Sequence, residues 1–271
     1  MLDQPHVVFF DTFGTVVEWR SSVTKALSDA ARQALDDPNR HIPADLRQRA
    51  AALDQSDWLA FAEEWRLSYG NFTSTFDPSK GFVSVDQHHY HALQDLLKKR
   101  GIQELFDNSQ LLELTLCWHR LTPWPDSVAG LDLLNTKFIT STLSNGNESL
   151  LKDLKQYGSL PFTQLVGAEN FGAYKPSPIV YHGAANLLGR DSTQCTMVAA
   201  HLSDLKAAKG CGFRTVYVER ESEEAWSTDR VAQAKEEGFV DIWVGLNESG
   251  VLEVARRLGI KGDNGSQPIS E

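Results

Sequence analysis

Between His6 and Phe10 the chain reads HVVFF, a near-continuous apolar run that stops at Asp11 and passes into a Gly-Thr turn. A run without polar alternation predicts a strand buried on both faces of a parallel sheet. From about Ser21 to Leu121 the period changes to that of helices. SSVTKALSDAARQAL, DLRQRAAALDQSDWLAFAEEWRLSYGNF and HHYHALQDLLKKRGI carry apolar residues at helical spacing, with Pro, Gly and Asp between them. Strand and helix patterns then alternate. KFITSTL (137–143) predicts a strand that runs into SNGN and a helix from Glu148. Leu165–Val166 predicts a short strand before the loop GAENFGAYKPSP and a helix at Val180–Leu188. Thr196–Ala199, TVYVER and DIWV predict three more strands, with the helix SDLKAAKGCG after the first and an amphipathic helix after the last.

Such alternation predicts an α/β fold, a right-handed Rossmann-like parallel sheet with a helical insertion after its first strand. The implied organisation is a core strand and loop at 1–18, a helical insertion at 19–121, the remaining core at 122–262 and a disordered tail at 263–271. In an open parallel sheet, chemistry collects where loops leave the carboxyl ends of strands. Asp11, Ser144, the Lys175 loop and His201–Asp204 all follow predicted strands, so four polar clusters converge on one edge.

Composition narrows the partners. With 41% hydrophobic and 23% charged residues the chain is of ordinary globular type. A net charge of −10 opposes a general affinity for nucleic acid or anionic membranes, where clustered Lys and Arg drive binding, and leaves small anions open. Three widely spaced cysteines, Cys117, Cys195 and Cys211, predict reduced thiols. No apolar run is long enough to span a bilayer and the N-terminus lacks a secretory pattern, so a cytoplasmic location is expected.

A carboxylate directly after a buried strand, at Asp11, has backbone N–H groups of the next turn beside it and can form an ester, splitting one hard displacement into two easier steps. Asp in that position also serves simply to cap a turn. Taken together, FFDTFGTV, LSNGN, AYKPSP and VAAHLSDLKAAKGCG resemble, in order and spacing, the four motifs of the haloacid dehalogenase superfamily across 7–17 and 122–244. The helical block resembles the cap these enzymes insert after the first motif.

Phosphatases of that superfamily carry a second Asp two residues after the nucleophile, as general acid, and acidic residues in the fourth motif that bind Mg²⁺. Here those positions hold Phe13 and, in place of Gly-Asp, Ala199-Ala200. Phosphoryl transfer needs a cation for its spread charge, whereas a halide needs neither group. Within the superfamily the chain resembles the type II 2-haloacid dehalogenases, which have an aromatic residue before Gly-Thr. That resemblance implies attack by Asp11 on the halogen-bearing carbon of a short 2-haloacid, without metal or cofactor, and hydrolysis of the ester. Lys175 would orient Asp11, Thr15 would brace its loop, and Asp204 would fix Lys175 and the hydrolytic water. Ser144 with the N–H groups of Thr12 and Asn145 would hold the substrate carboxylate. Arg66 would receive the halide, Phe13 would form the apolar wall and Tyr181 matches a tyrosine after the lysine motif. A small haloacid is the implied ligand, and dimers occur in the family.

The chain departs from the dehalogenase pattern at Ala200-His201-Leu202-Ser203-Asp204, where those enzymes show Ser-Asn-Ala-Trp-Asp. His201 stands where asparagine positions water, and imidazole can bind or activate it. Two other readings remain at this point, a Mg²⁺-dependent phosphatase of small phosphomonoesters and a non-catalytic binding protein on the same fold. His88, His89 and His91 read as a solvated helix start rather than a metal site, for lack of partners at ligand spacing. Trp58, Phe61 and Trp65 recur at helical spacing and read as packing.

Overall fold

The computed structural model describes residues 5–260; the tail read at 263–271 lies outside them. The chain opens with β1 (Val7–Phe10) and β2 (Val17–Glu18), then five helices, α1 (Arg20–Asp36), α2 (Ala44–Ala51), α3 (Gln55–Ser74), α4 (Val85–Lys99) and α5 (Asn108–Thr115). It continues through β3 (Thr122–Pro123), α6 (Ser127–Asn135), β4 (Ile139–Thr142), α7 (Glu148–Tyr157), α8 (Pro178–Leu187), β5 (Cys195–Ala199), α9 (Leu202–Gly210), β6 (Arg214–Val218), α10 (Thr228–Glu237), β7 (Ile242–Val244) and α11 (Gly250–Arg257).

Five strands form a parallel sheet in the order β4-β1-β5-β6-β7. Every residue of β1 is buried, and side chains alternate across the sheet. Phe9 stacks on Phe213 on one face and Phe10 meets Phe162 edge-on on the other. The neighbours of β1 are β4 and β5, so the sheet order turns at β1 and the loops after these three strands diverge around one crevice. Where the chain leaves for the helices and returns, β2 and β3 pair antiparallel.

The helices pack through aromatic side chains. Trp65 and Trp118 are buried and meet edge-on, and Trp65 also meets Phe61. Capping boxes start α3 at Asp54 and α4 at Ser84, closing orphan N–H groups that would otherwise fray those ends.

Two expectations change. Leu165–Val166 is not a strand: Thr142 Oγ1 accepts from Val166 N at 2.8 Å, so a side chain takes the N–H a ladder would use, and it shares Val166 O (3.0 Å) with Ser144 N (3.3 Å), so only isolated bridges at Gln164 and Gly167 remain. Nor is HHYH solvated throughout. His91 is exposed, but His89 is buried and lies parallel to Trp118 at 4.5 Å, because helical geometry turns it into the aromatic core. Burial holds His89 neutral, well below the usual histidine range. The three cysteines are buried and free, and no described helix is long and apolar enough to cross a membrane.

Candidate active site

Asp11 leaves β1 with its N–H bonded to Val198 O at 3.0 Å, so the sheet itself fixes its backbone. Its carboxylate is buried and surrounded by donors. Lys175 Nζ reaches Oδ1 at 3.0 Å, Thr15 Oγ1 donates to Oδ2 at 3.0 Å, and His201 Nδ1 faces Oδ2 at 3.1 Å. Lys175 also donates to Asp204 Oδ2 at 2.6 Å. A single lysine therefore serves two buried carboxylates.

The electrostatics follow from that sharing. Burial works to raise the Asp11 carboxyl, but Lys175 and His201 outweigh it and hold Asp11 well below the usual carboxylate range. Burial also raises Asp204, and there the one shared lysine does not fully compensate beside Asp11. Lys175 is held above its ordinary range: burial opposes its charge, and the two carboxylates overcome it. His201 is pushed up to about 9, since Asp11 and Glu223 together outweigh the cost of burying its charge.

These elements meet over a cavity of about 200 Å³ whose wall includes Asp11, Asn145, Lys175, His201, Ser203 and Asp204 from the sheet side and Arg66 and Tyr69 from α3. The Arg66 guanidinium lies 4.6 Å from the Tyr69 ring centre and 5.6 Å from that of Phe13. A larger groove of about 420 Å³, between α1 and α5, holds no comparable convergence of charge on a carboxylate. Among the described residues, no cluster of three His, Cys, Asp or Glu side chains is arranged to hold a metal ion.

The structure thus brings Asp11, Lys175, Asp204, His201, Arg66, Asn145 and Tyr181 to one cavity, and sets Thr15, Ser144 and Phe13 outside its lining. Thr15 is fully buried between Asp11 and the Ala200 N–H, which donates to its Oγ1 at 2.9 Å, so it braces the loop, as expected. Ser144 is fully buried and its Oγ accepts from Gly146 N at 3.2 Å, which shapes the turn before α7 and leaves the hydroxyl proton to donate. Tyr181 is buried with its hydroxyl donated to Asp204 Oδ1 at 2.6 Å; it reaches the cavity only alongside Asp204, which it positions. Phe13 is buried against Tyr69 and Trp118 and backs the wall beneath Arg66. Asn145 closes the Lys175 loop, accepting from Lys175 N at 2.7 Å and donating to Lys175 O at 3.3 Å. Among the described residues the N–H groups of Thr12 and Asn145 carry no hydrogen bond; Asn145 lines the cavity and Thr12 is buried directly after Asp11.

Sequence reasoning missed Tyr69 and Glu223. Tyr69 stands three residues after Arg66 on one helix face, a spacing that would have found it. Glu223 lies in ESEEAW, a run of acids that reads as a solvated loop, yet it is buried with Trp19 Nε1 donating to it at 3.2 Å and Arg20 paired with it.

The raised His201 predicts a pH-dependent stability. Its contribution is complete below its ordinary 6.5 and is lost as pH rises through about 9, which amounts to about 3 kcal/mol over that window. His119, held above its ordinary range by Asp86 and Asp153 against its burial, acts in the same direction. Urea unfolding between pH 6.5 and 9.5 should therefore show a decline that His201→Asn makes shallower. An equally steep decline in that variant would remove His201 as its source.

A parallel α/β sheet with a buried, cation-paired carboxylate at its switch point is an arrangement open to hydrolytic chemistry, and the comparisons with known proteins give the class. Residues 5–212 match the family model described as haloacid dehalogenase-like hydrolase, and the chain belongs to that family. The crystal structure of the defluorinating L-2-haloacid dehalogenase Rha0230 superposes with a TM-score of 0.76 at 33% identity, over 94% of this chain and 95% of that one. That of the L-2-haloacid dehalogenase PA0810 gives 0.77 at 30% identity, over 96% and 100%. Among curated proteins, (S)-2-haloacid dehalogenase 1 of Pseudomonas sp. (strain CBS-3) is 26% identical over 225 residues, covering 81% of this chain and 86% of its own length.

Proposed function

We propose that this protein hydrolyses the carbon–halogen bond of a short (S)-2-haloacid to the 2-hydroxy acid through an ester on Asp11. The observation that carries the proposal is the Asp11 carboxylate itself, ionised, buried and fixed by Lys175, Thr15 and His201 at the floor of a small cavity. A nucleophile must present a lone pair at a set angle, and three donors to two oxygens fix that angle before the substrate arrives. The space is suited to a ligand of a few heavy atoms. The names of the similar dehalogenases supply the substrate class and its hand.

In this reading a carboxylate oxygen of Asp11 attacks C2, the carbon–halogen bond breaks with inversion and the halide leaves with its electron pair. Arg66, a cation on the facing wall above the Phe13 and Tyr69 rings, receives it. The free N–H groups of Thr12 and Asn145 bind the substrate carboxylate, as unpaired donors at strand-to-helix turns bind anions. Lys175 keeps Asp11 ionised, and Asp204, braced by Tyr181, keeps Lys175 in place. Water then attacks the aspartyl carbonyl carbon beside His201.

Phosphatase chemistry fits these residues less well. The position that would hold a general acid is Phe13, packed into aromatic neighbours, and Ala200 stands where a metal-binding carboxylate would be needed. Chloride release from racemic 2-chloropropionate should proceed in EDTA, be unchanged by added Mg²⁺ and leave the (R)-enantiomer behind. A strict requirement for Mg²⁺, with phosphomonoesters turned over instead, would overturn the proposal.

A further inference from the structure

The loop after β6 reaches back across the nucleophile loop. Arg220 Nε donates to Thr15 O at 3.1 Å while its guanidinium grips Asp126 with two bonds of 2.7 Å, and Glu224 accepts from Leu202 N at 2.8 Å. Between them Glu223 turns inward, 7% exposed, onto the far side of His201 from Asp11. Its Oε2 faces His201 Nε2 at 3.5 Å. The carboxylate lies over Gly14, whose φ is +80° and where a Cβ would come within 1.9 Å of Glu223 Oε2. The glycine of the first motif thus leaves room for this acid as well as for its own turn.

Resting on the reading of Asp11 as nucleophile, we infer that Glu223 is the positioning residue for His201: it holds Nε2–H, so that Nδ1 faces the Asp11 ester and accepts a proton from the hydrolytic water. The charged groups around the imidazole are Asp11 from the end of β1, Glu223 from the loop after β6 and Arg66 from α3, with Lys175 behind Asp11 and Arg20 from α1 behind Glu223. Between two carboxylates the resting imidazole is an imidazolium and cannot act as a base. Alkylation of Asp11 removes one of the two anions. The imidazolium then releases its Nδ1 proton to solvent, because Glu223 still favours the proton on Nε2. Water adds to the aspartyl carbonyl carbon and gives one proton to Nδ1. The carbonyl electron pair moves to oxygen and returns as the bond to the substrate oxygen breaks. The departing alkoxide takes the proton of the newly added hydroxyl, which restores the Asp11 carboxylate and the imidazolium. Over both steps the haloacid and water become hydroxy acid, halide and one proton.

Rapid-quench chloride measurements on the native chain, Glu223→Gln, His201→Asn and the double variant test this. Glu223→Gln should release one chloride per site at close to the native rate and then turn over about 100-fold more slowly, with the alkyl ester accumulating on the Asp11 peptide by mass spectrometry. Glu223→Asp should recover part of the loss, and in the His201→Asn background Glu223→Gln should cost less than about twofold more. In ¹⁵N spectra the His201 titration should move down by at least about one pH unit in Glu223→Gln. A native steady state in Glu223→Gln, equal slowing of both phases, or losses that multiply in the double variant would overturn the inference and leave Glu223 as a strut for Trp19 and Arg20. If the native chain releases no halide from any 2-haloacid, the functional reading falls by itself. The His201 titration then still decides the pair, a downward shift supporting it and an unmoved one overturning it.

Discussion

Asp11→Asn is expected to lower halide release on the order of 10⁴-fold or more while the protein remains folded. The amide matches the carboxylate in size; its one oxygen can accept from Lys175 while its NH2 turns to Thr15 Oγ1, a hydroxyl that accepts as well as donates, so the loop keeps its place, but a neutral amide is a far weaker nucleophile. Lys175 keeps Asp204 as its partner, so no buried cation is stranded. His201 loses one of its two anions and should titrate below the native value of about 9. Initial rates together with urea unfolding check this. Substantial residual turnover in a correctly folded variant would show that Asp11 is not the attacking group.

Lys175→Met should damage both activity and stability. Its ammonium bridges the Asp11 and Asp204 carboxylates, and removing it leaves both, each side chain only 10% exposed, in a poorly solvating site. Breaking a buried pair from one side costs about 3–5 kcal/mol near neutrality. With burial unopposed, a carboxyl pKa in the pair should rise above its unfolded value. The folded variant then binds more protons than the unfolded chain, so its deficit should shrink as pH falls from 7.5 to 5, opposite to the native behaviour of the paired Asp11. Turnover should fall by about 10³-fold, because Asp11 is partly protonated and no longer oriented. Denaturant unfolding at both pH values, with chloride release at 7.5, measures the two effects. A deficit that stays constant with pH would show that the lysine is not what keeps these carboxylates ionised.

The core was legible because burial on both faces of a sheet leaves apolar runs such as VVFF that no surface segment shows, and because Asp11, Ser144 and His201 each follow a strand whose end must open on the same crevice. Side-chain direction was less legible. Ser144 and Tyr181 occupy the expected positions in the chain, but the partners their hydroxyls take, Gly146 N and Asp204, are set by the folded loops and could not be read from the sequence. His89 shows the same limit in the helices: whether a histidine at a helix start is wet or buried depends on which neighbour, here Trp118, covers that face. Glu223 was invisible, since its burial is created by Trp19, Arg20 and His201, all distant in sequence, and an acidic loop looks alike whether it points out or in. Tyr69, by contrast, was within reach from its spacing to Arg66.

The ester on Asp11 is most directly tested by a single turnover in H₂¹⁸O, with enzyme in excess over (S)-2-chloropropionate. If water attacks the aspartyl carbonyl, the heavy oxygen appears in the Asp11 peptide, and the first 2-hydroxy acid formed carries only oxygen from the enzyme. Heavy oxygen in that first product, with none in Asp11, would mean that water attacks the substrate directly and that Asp11 never forms an ester.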